Sequence, residues 1–126
     1  MSELTETAAS TQTAGCCVPG IAPRLDAAAA QQLSAELTLL GHPIRLQILD
    51  MLAQCDGQVC VCDLEGALPV KQPTVSHHLK LLREAGLIDC ERRGLWAYYF
   101  VKPEAVATLR GRVLAQLDAL GERLRD

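Results

Sequence analysis

The stretch from Val70 to Arg83 leaves this chain few folds to choose from. Laid out at about 100° per residue, it divides into two faces. Val75, Leu79 and Leu82 gather on one side, with His78 at the edge of that stripe. Gln72, Ser76, His77, Lys80 and Arg83 gather on the other. The apolar back requires a core to pack against. The front, made of short hydrogen-bonding side chains and cations, suits a helix lying in the major groove of DNA. A merely solvated face would more often carry Glu/Lys pairs than Gln, Thr, Ser and His together.

The flanking segments supply the rest of such a fold. Residues 1–26 are rich in Ser, Thr, Ala, Gly and Pro without sustained periodicity, and read as a flexible arm. Residues 27–126 read as the folded domain. Ala27 to Leu40 is helical, with Leu33, Leu37 and Leu40 on one side, and Gly41 ends it. His42-Pro43 starts a second helix, His42 as its cap and proline in the first turn. Ile44, Ile48, Met51 and Leu52 form its buried stripe, while Arg45 can face outward. Asp56-Gly57 makes a turn, Gln58 to Cys62 is short and extended, and Asp63 to Leu68 is a brief helix. That helix, the turn at Pro69-Val70-Lys71 and the two-faced helix make a helix-turn-helix.

Gly86 stops the two-faced helix. Leu87 to Glu91 alternates as a strand, Arg92-Arg93-Gly94 reads as a hairpin tip, and Leu95 to Val101 returns. All four aromatic residues, Trp96, Tyr98, Tyr99 and Phe100, fall in that second strand, where strand preference accounts for them. The hairpin is a wing, with Arg92 and Arg93 placed for phosphates or the minor groove, or else for a solvated turn. Pro103-Glu104 opens a last helix whose Val106, Leu109, Val113, Leu117, Leu120 and Leu124 follow a coiled-coil-like seam. The fold class is therefore mainly α with a small β-hairpin: a winged helix-turn-helix, pairing as a homodimer through its first and last helices. A dimer would match a two-fold DNA site.

Charge and cysteine content narrow the function. The net charge of −3 excludes a protein coated in positive charge, but residues 1–70 hold two arginines against eight acids. Lys71 to Arg93 hold five cations against three acids, so the positive surplus coincides with the two-faced helix. No apolar run approaches the roughly 18 to 20 residues of a membrane span. The acidic start Met1-Ser2-Glu3-Leu4-Thr5-Glu6 lacks a secretory signal, which places the chain in the cytoplasm. Six cysteines in a reducing compartment read as metal ligands, redox groups or buried small residues rather than a disulfide framework.

Cys60 and Cys62, two apart in an extended segment at a helix start, project to one side where unpaired N–H groups favour the thiolate. Cys16 and Cys17 supply a second soft pair on the arm, and Cys55 lies within a loop's reach of Cys60. Four thiolates without a neighbouring histidine suit soft metals and thiophilic metalloids. Cys90, inside the first wing strand, reads as packing. His77 and His78 sit beside no acid and carry no nucleophile–base spacing, so nothing indicates an enzyme. A thiol redox regulator and a thiol-rich metal buffer that ignores DNA are the competing readings.

Cys60-Val61-Cys62-Asp63-Leu64, followed by Gln72-Pro73-Thr74-Val75-Ser76-His77-His78-Leu79-Lys80 and Leu82-Arg83-Glu84-Ala85-Gly86-Leu87, resembles the ArsR/SmtB family of metal-sensing repressors. The resemblance runs from about Leu33 to Leu120. It implies a winged-helix homodimer that holds double-stranded operator DNA when metal-free and leaves when its effector binds. By residue match it implies recognition positions at Gln72, Thr74, Ser76, His77 and Lys80, with wing contacts from Arg92 and Arg93. Arsenite repressors of this family take three thiolates from one C-V-C-D-L-C segment. Here Glu65 stands at the third position, so an arm pair such as Cys16-Cys17 would complete the site. The adjacent pair looks more like an arsenic-type arm than the spaced cysteines of cadmium/lead sensors. As(III) or Sb(III) is thus the expected inducer and Cd(II) or Pb(II) the alternative, with Cys55 as a substitute ligand.

Overall fold

The computed structural model describes residues 20–124, so the arm bearing Cys16 and Cys17 lies outside the described residues. Seven elements follow in order: α1 (Ala27–Leu40), α2 (Pro43–Cys55), α3 (Val61–Ala67), α4 (Gln72–Glu84), β1 (Ile88–Arg93), β2 (Trp96–Val101) and α5 (Pro103–Leu124). Their boundaries have local causes. Asp26 caps α1, its Oδ1 accepting from the Ala29 N–H at 2.8 Å. His42 caps α2, its Nδ1 accepting from the Ile44 N–H at 3.1 Å, with Pro43 pre-set for the first turn. α2 ends where Asp56 (φ 45°) and Gly57 (φ 83°) both adopt left-handed backbone, which turns the chain toward α3.

The core gathers one side of every helix from α2 to α5. Ile48 and Leu52 of α2, Leu64 of α3, Val75, Leu79 and Leu82 of α4, Ile88 of β1 and Leu109 of α5 are all buried in one cluster. The apolar back of α4 is thus where its periodicity puts it, and His78 is buried with it. Truncating a fully buried leucine such as Leu64 or Leu82 costs about 2–5 kcal/mol in cores of this kind.

The wing is an antiparallel pair in which Ile88 faces Val101 and Arg93 faces Trp96. Arg92 and Arg93 therefore belong to β1, and the tip is Gly94-Leu95, one step later than the expected Arg92-Arg93-Gly94. Gly94 has φ 64° and Leu95 does not have positive φ, the pattern of a two-residue turn with glycine first. That geometry matches the right-handed twist of the strands, which a turn of common type would splay. Val59 adds one further rung, its carbonyl accepting from the Tyr99 N–H at 2.8 Å. Of the expected extended run from Gln58 to Cys62, only this rung forms, because α3 starts at Val61 and absorbs the remainder.

α5 splits its seam. Leu109 is buried in the chain's own core and Val113 packs beside it, whereas Val106, Leu117 and Leu120 are exposed, as is Leu37 of α1. Arg112 of α5 donates to Glu36 of α1 through Nε at 3.1 Å and through a second contact to the other carboxylate oxygen, which fixes the two helices together. Among the described residues no helix is long and apolar enough to cross a membrane.

Candidate nucleic-acid interface and thiol cluster

α4 presents two faces of opposite chemistry. Its first turn holds Gln72, Pro73 and Thr74, with Lys71 as the cap residue and no side-chain cap bond. The Thr74 and Val75 N–H groups donate to the Lys71 carbonyl at 3.0 and 3.1 Å, and Gln72 and Thr74 are exposed. Gln72, Thr74, Ser76, His77 and Lys80 are all exposed, so every α4 position expected to face DNA lies on the open side. Behind it α3 packs against α4, Leu64 and Leu68 meeting Val75 and Leu79 in the same cluster.

The cations around this face differ in freedom. Arg83 donates through Nε to Asp89 Oδ1 at 3.2 Å, tying the last turn of α4 to β1. The Cys90 N–H and then Arg83 hold the Asp89 carboxyl below its ordinary range. Arg93 turns back onto the body: it donates to Gln58 Oε1 at 3.3 Å and to Glu91 Oε1 at 3.2 Å, and its guanidinium lies 4.7 Å from the centre of the Tyr98 ring. Arg92 is exposed and forms no ion pair among the described residues. Lys80 is exposed and likewise free of an ion pair among them.

The thiols converge at the other end of the helix-turn-helix. Cys60 is the cap residue of α3 and Cys62 sits in its first turn, with a Cα–Cα separation of 5.5 Å. Their sulfurs are in direct contact, close enough for the pair to form a disulfide on oxidation. The extended segment expected here is shorter than its sequence suggests: the helix starts earlier, and the turn at its cap brings the sulfurs together. Such a link would span only two residues and cross-link no two elements, so it is not a framework. Asp63 joins them, its Oδ2 accepting from the Cys60 N–H at 3.0 Å and lying 3.4 Å from Cys60 Sγ. Cys60, Cys62 and Asp63 place one potential ligand atom each within 4.8 Å of one another. Cys60 is buried while Cys62 and Asp63 are exposed, so solvent reaches the group. Cys55 is an exposed free thiol at the end of α2 and does not enter this group; Cys90 is half-buried in β1.

Two functional side chains were not expected from sequence. Asp63 stands three residues after the Cys60 cap, the spacing of a capping box, and that spacing was the available signal. Arg45 does not face outward: its Nε donates to Nδ1 of His78 at 3.1 Å and its NH1 to the Leu39 carbonyl at 2.9 Å. No local pattern announces a partner so far along the chain.

This architecture has known relatives. Residues 42–89 match the family model described as "Bacterial regulatory protein, arsR family". An HTH-type transcriptional regulator of Methanocaldococcus jannaschii is 41% identical over 66 residues, covering 52% of this chain and 73% of the relative. The chain belongs to the arsR family. Such a protein is a DNA-binding transcriptional regulator and not an enzyme. An arsenical resistance operon repressor of Escherichia coli K12 is 42% identical over 69 residues, covering 55% of this chain and 58% of that relative, less than two thirds of its length. A solution structure from Mycobacterium bovis, described as a homodimeric winged helix-turn-helix DNA-binding domain, superposes with a TM-score of 0.54 at 31% identity, covering 81% of this chain and 90% of that one. The winged-helix fold expected from the sequence is thereby shared with arsR-family regulators.

Proposed function

We propose that this arsR-family chain is a metalloid-responsive repressor, holding operator DNA as an effector-free homodimer and released by As(III) or Sb(III) on cysteine thiolates. The observation that carries it is the meeting of Cys60 and Cys62 at the start of α3, whose Leu64 packs in one cluster with the back of α4. An ion held there acts directly on the helix that supports the reading helix. Gln72, Thr74, Ser76, His77 and Lys80 form the reading surface in this proposal, with Arg92 as the wing contact, since Arg93 is engaged by Gln58 and Glu91. Operator binding, the cytoplasmic setting and pairing through α1 and α5 belong to the same reading.

The donor set fits part of such a site. When reduced, two adjacent sulfurs suit a soft metalloid; Asp63 offers a hard oxygen, a poor third partner for it. The third thiolate would come from Cys16 or Cys17, with Cys55 as substitute. A bound metalloid would supply strong covalent bonds to sulfur; the chain's own residues supply the capped helix end that holds two of those sulfurs together.

Gel-shift titration of the reduced full-length protein decides the effector. Release at lower As(III) or Sb(III) than Cd(II) or Pb(II) is expected, and release by Cd(II) or Pb(II) alone would refute the metalloid assignment in favour of those ions. A second reading has one observation behind it, the direct approach of the Cys60 and Cys62 sulfurs. A thiol redox regulator would let go of DNA on peroxide treatment and rebind after dithiothreitol, with no metal added.

A further inference from the structure

All three histidines of the chain meet in one place, around a single arginine. His78 lies on the buried back of α4 with 5% of its surface exposed. The His42 ring, from the corner between α1 and α2, is 4.5 Å from it, and the ring of its neighbour His77 is 5.6 Å away. Arg45 of α2 reaches His78 Nδ1 with one nitrogen and the Leu39 carbonyl, in the last turn of α1, with another. One guanidinium therefore joins three helices: the one that carries it, the end of α1 and the reading helix.

The chemistry of the contact fixes the state of the ring. Arginine has only donors, so Nδ1 of His78 must offer its lone pair and the ring is neutral, with its proton on Nε2. A second proton would set N–H against N–H and cation against cation at 3.1 Å. Burial opposes that proton first, and the charged or titratable groups facing the ring, His42 from the corner, Arg45 from α2 and His77 from α4, oppose it as well. All push the His78 ring below its ordinary value near 6.5.

We propose that Arg45 is a positioning residue for DNA reading: it holds α4 to the end of α1 through the neutral His78 ring, and protonating that ring releases the hold. The inference rests on α4 being the DNA-reading helix, but it concerns a tether separate from the cysteines. It connects the reading helix to α1, whose Leu37 is part of the exposed apolar surface, by a route that does not pass through Cys60.

Duplexes selected by the full-length protein from a random-sequence pool at about pH 7.5 provide the DNA probe, and Kd is then measured at about pH 7.5 and 5.5. The variants are His78→Asn, which keeps an acceptor near Nδ1 but cannot titrate, Arg45→Met and Arg45→Lys. Wild type should lose more affinity on acidification than His78→Asn, by less than about tenfold because the free ring is itself held below its ordinary value. Arg45→Met should bind about tenfold more weakly at the higher pH, with Arg45→Lys between it and wild type. Parallel pH profiles for wild type and His78→Asn, or wild-type affinity in Arg45→Met, would overturn the proposal. If no duplex is enriched, the DNA-reading assignment fails, and the tether is judged on the free protein. Amide exchange from Val75 to Leu82 should then be faster in Arg45→Met, and acid-sensitive in wild type relative to His78→Asn; equal protection in all three sinks it.

Discussion

Lys80, Arg83, Arg92 and Arg93 are four cations with different freedom, and that decides which can serve phosphate. Arg83 spends its guanidinium on Asp89, and Arg93 on Gln58, Glu91 and the Tyr98 ring. Lys80 and Arg92 are exposed without an ion pair among the described residues. Removing Lys80 or Arg92 should therefore reduce the slope of log Kd against log salt by about one each, and Arg92→Ala should weaken binding to all duplexes alike. Arg93→Ala should leave that slope nearly unchanged; a fall as large as that of Arg92→Ala would show that the wing rearranges to free it. His78 makes a separate prediction in the unbound protein. Its folded pKa is lowered, so the unfolded chain takes up a proton that the native ring refuses. Stability from this source is complete above pH 6.5 and is lost as pH falls from there through the folded value. The loss is at most about 1.4 kcal/mol per pH unit within that window. Urea midpoints taken across it should fall with pH in wild type and lose this component in His78→Asn.

α3 has only seven residues, too few to stand alone, so it is held by Leu64 and Leu68 against α4 and by its cap. Thiol chemistry at Cys60 and Cys62 therefore acts on an element with little stability of its own. Cys60→Ser with Cys62→Ser should keep operator affinity within a few-fold while abolishing release by As(III) in gel shifts; retained release would place the effector elsewhere. At this scale much of the fold is legible in the sequence. The bounds of α1, α2 and α4 follow from Asp26, His42-Pro43 and Gly86, because capping and turn chemistry are local. The buried back of α4 follows from spacing alone. What was not legible depends on distant parts of the chain. Periodicity assigns Arg45 a direction around its helix but cannot see His78, 33 residues away. The wing tip shifted because strand twist selects Gly94-Leu95 as the turn, a preference that emerges only when two strands pair. The Cys60–Cys62 geometry depended on where α3 starts, and two residues there convert an extended pair into a helix cap.

α1 and α5 act as one body because the two contacts between Arg112 and Glu36 hold them together at their midpoints. On the outside of that body Leu117 and Leu120 are 55% and 56% exposed, with Val106 and Leu37 also open. Those residues contribute little to the chain's own core, whereas Leu109 of the same seam is buried in it. The seam thus divides: one part closes the monomer, and in the proposed homodimer the other meets a second copy. The double variant Leu117→Glu/Leu120→Glu should leave the monomer folded, with helical content by circular dichroism unchanged, since neither side chain is buried in one chain. Sedimentation at micromolar concentration should show it as a monomer where wild type is a dimer. Specific DNA affinity should fall by about 10²-fold or more, because two linked reading helices gain effective concentration that a single one lacks. Leu109→Glu is the contrasting variant, expected to unfold the chain through an uncompensated buried charge. A Leu117→Glu/Leu120→Glu protein that remained dimeric would place the interface on another face. The Arg45 tether would then end at an α1 whose exposed leucine faces solvent.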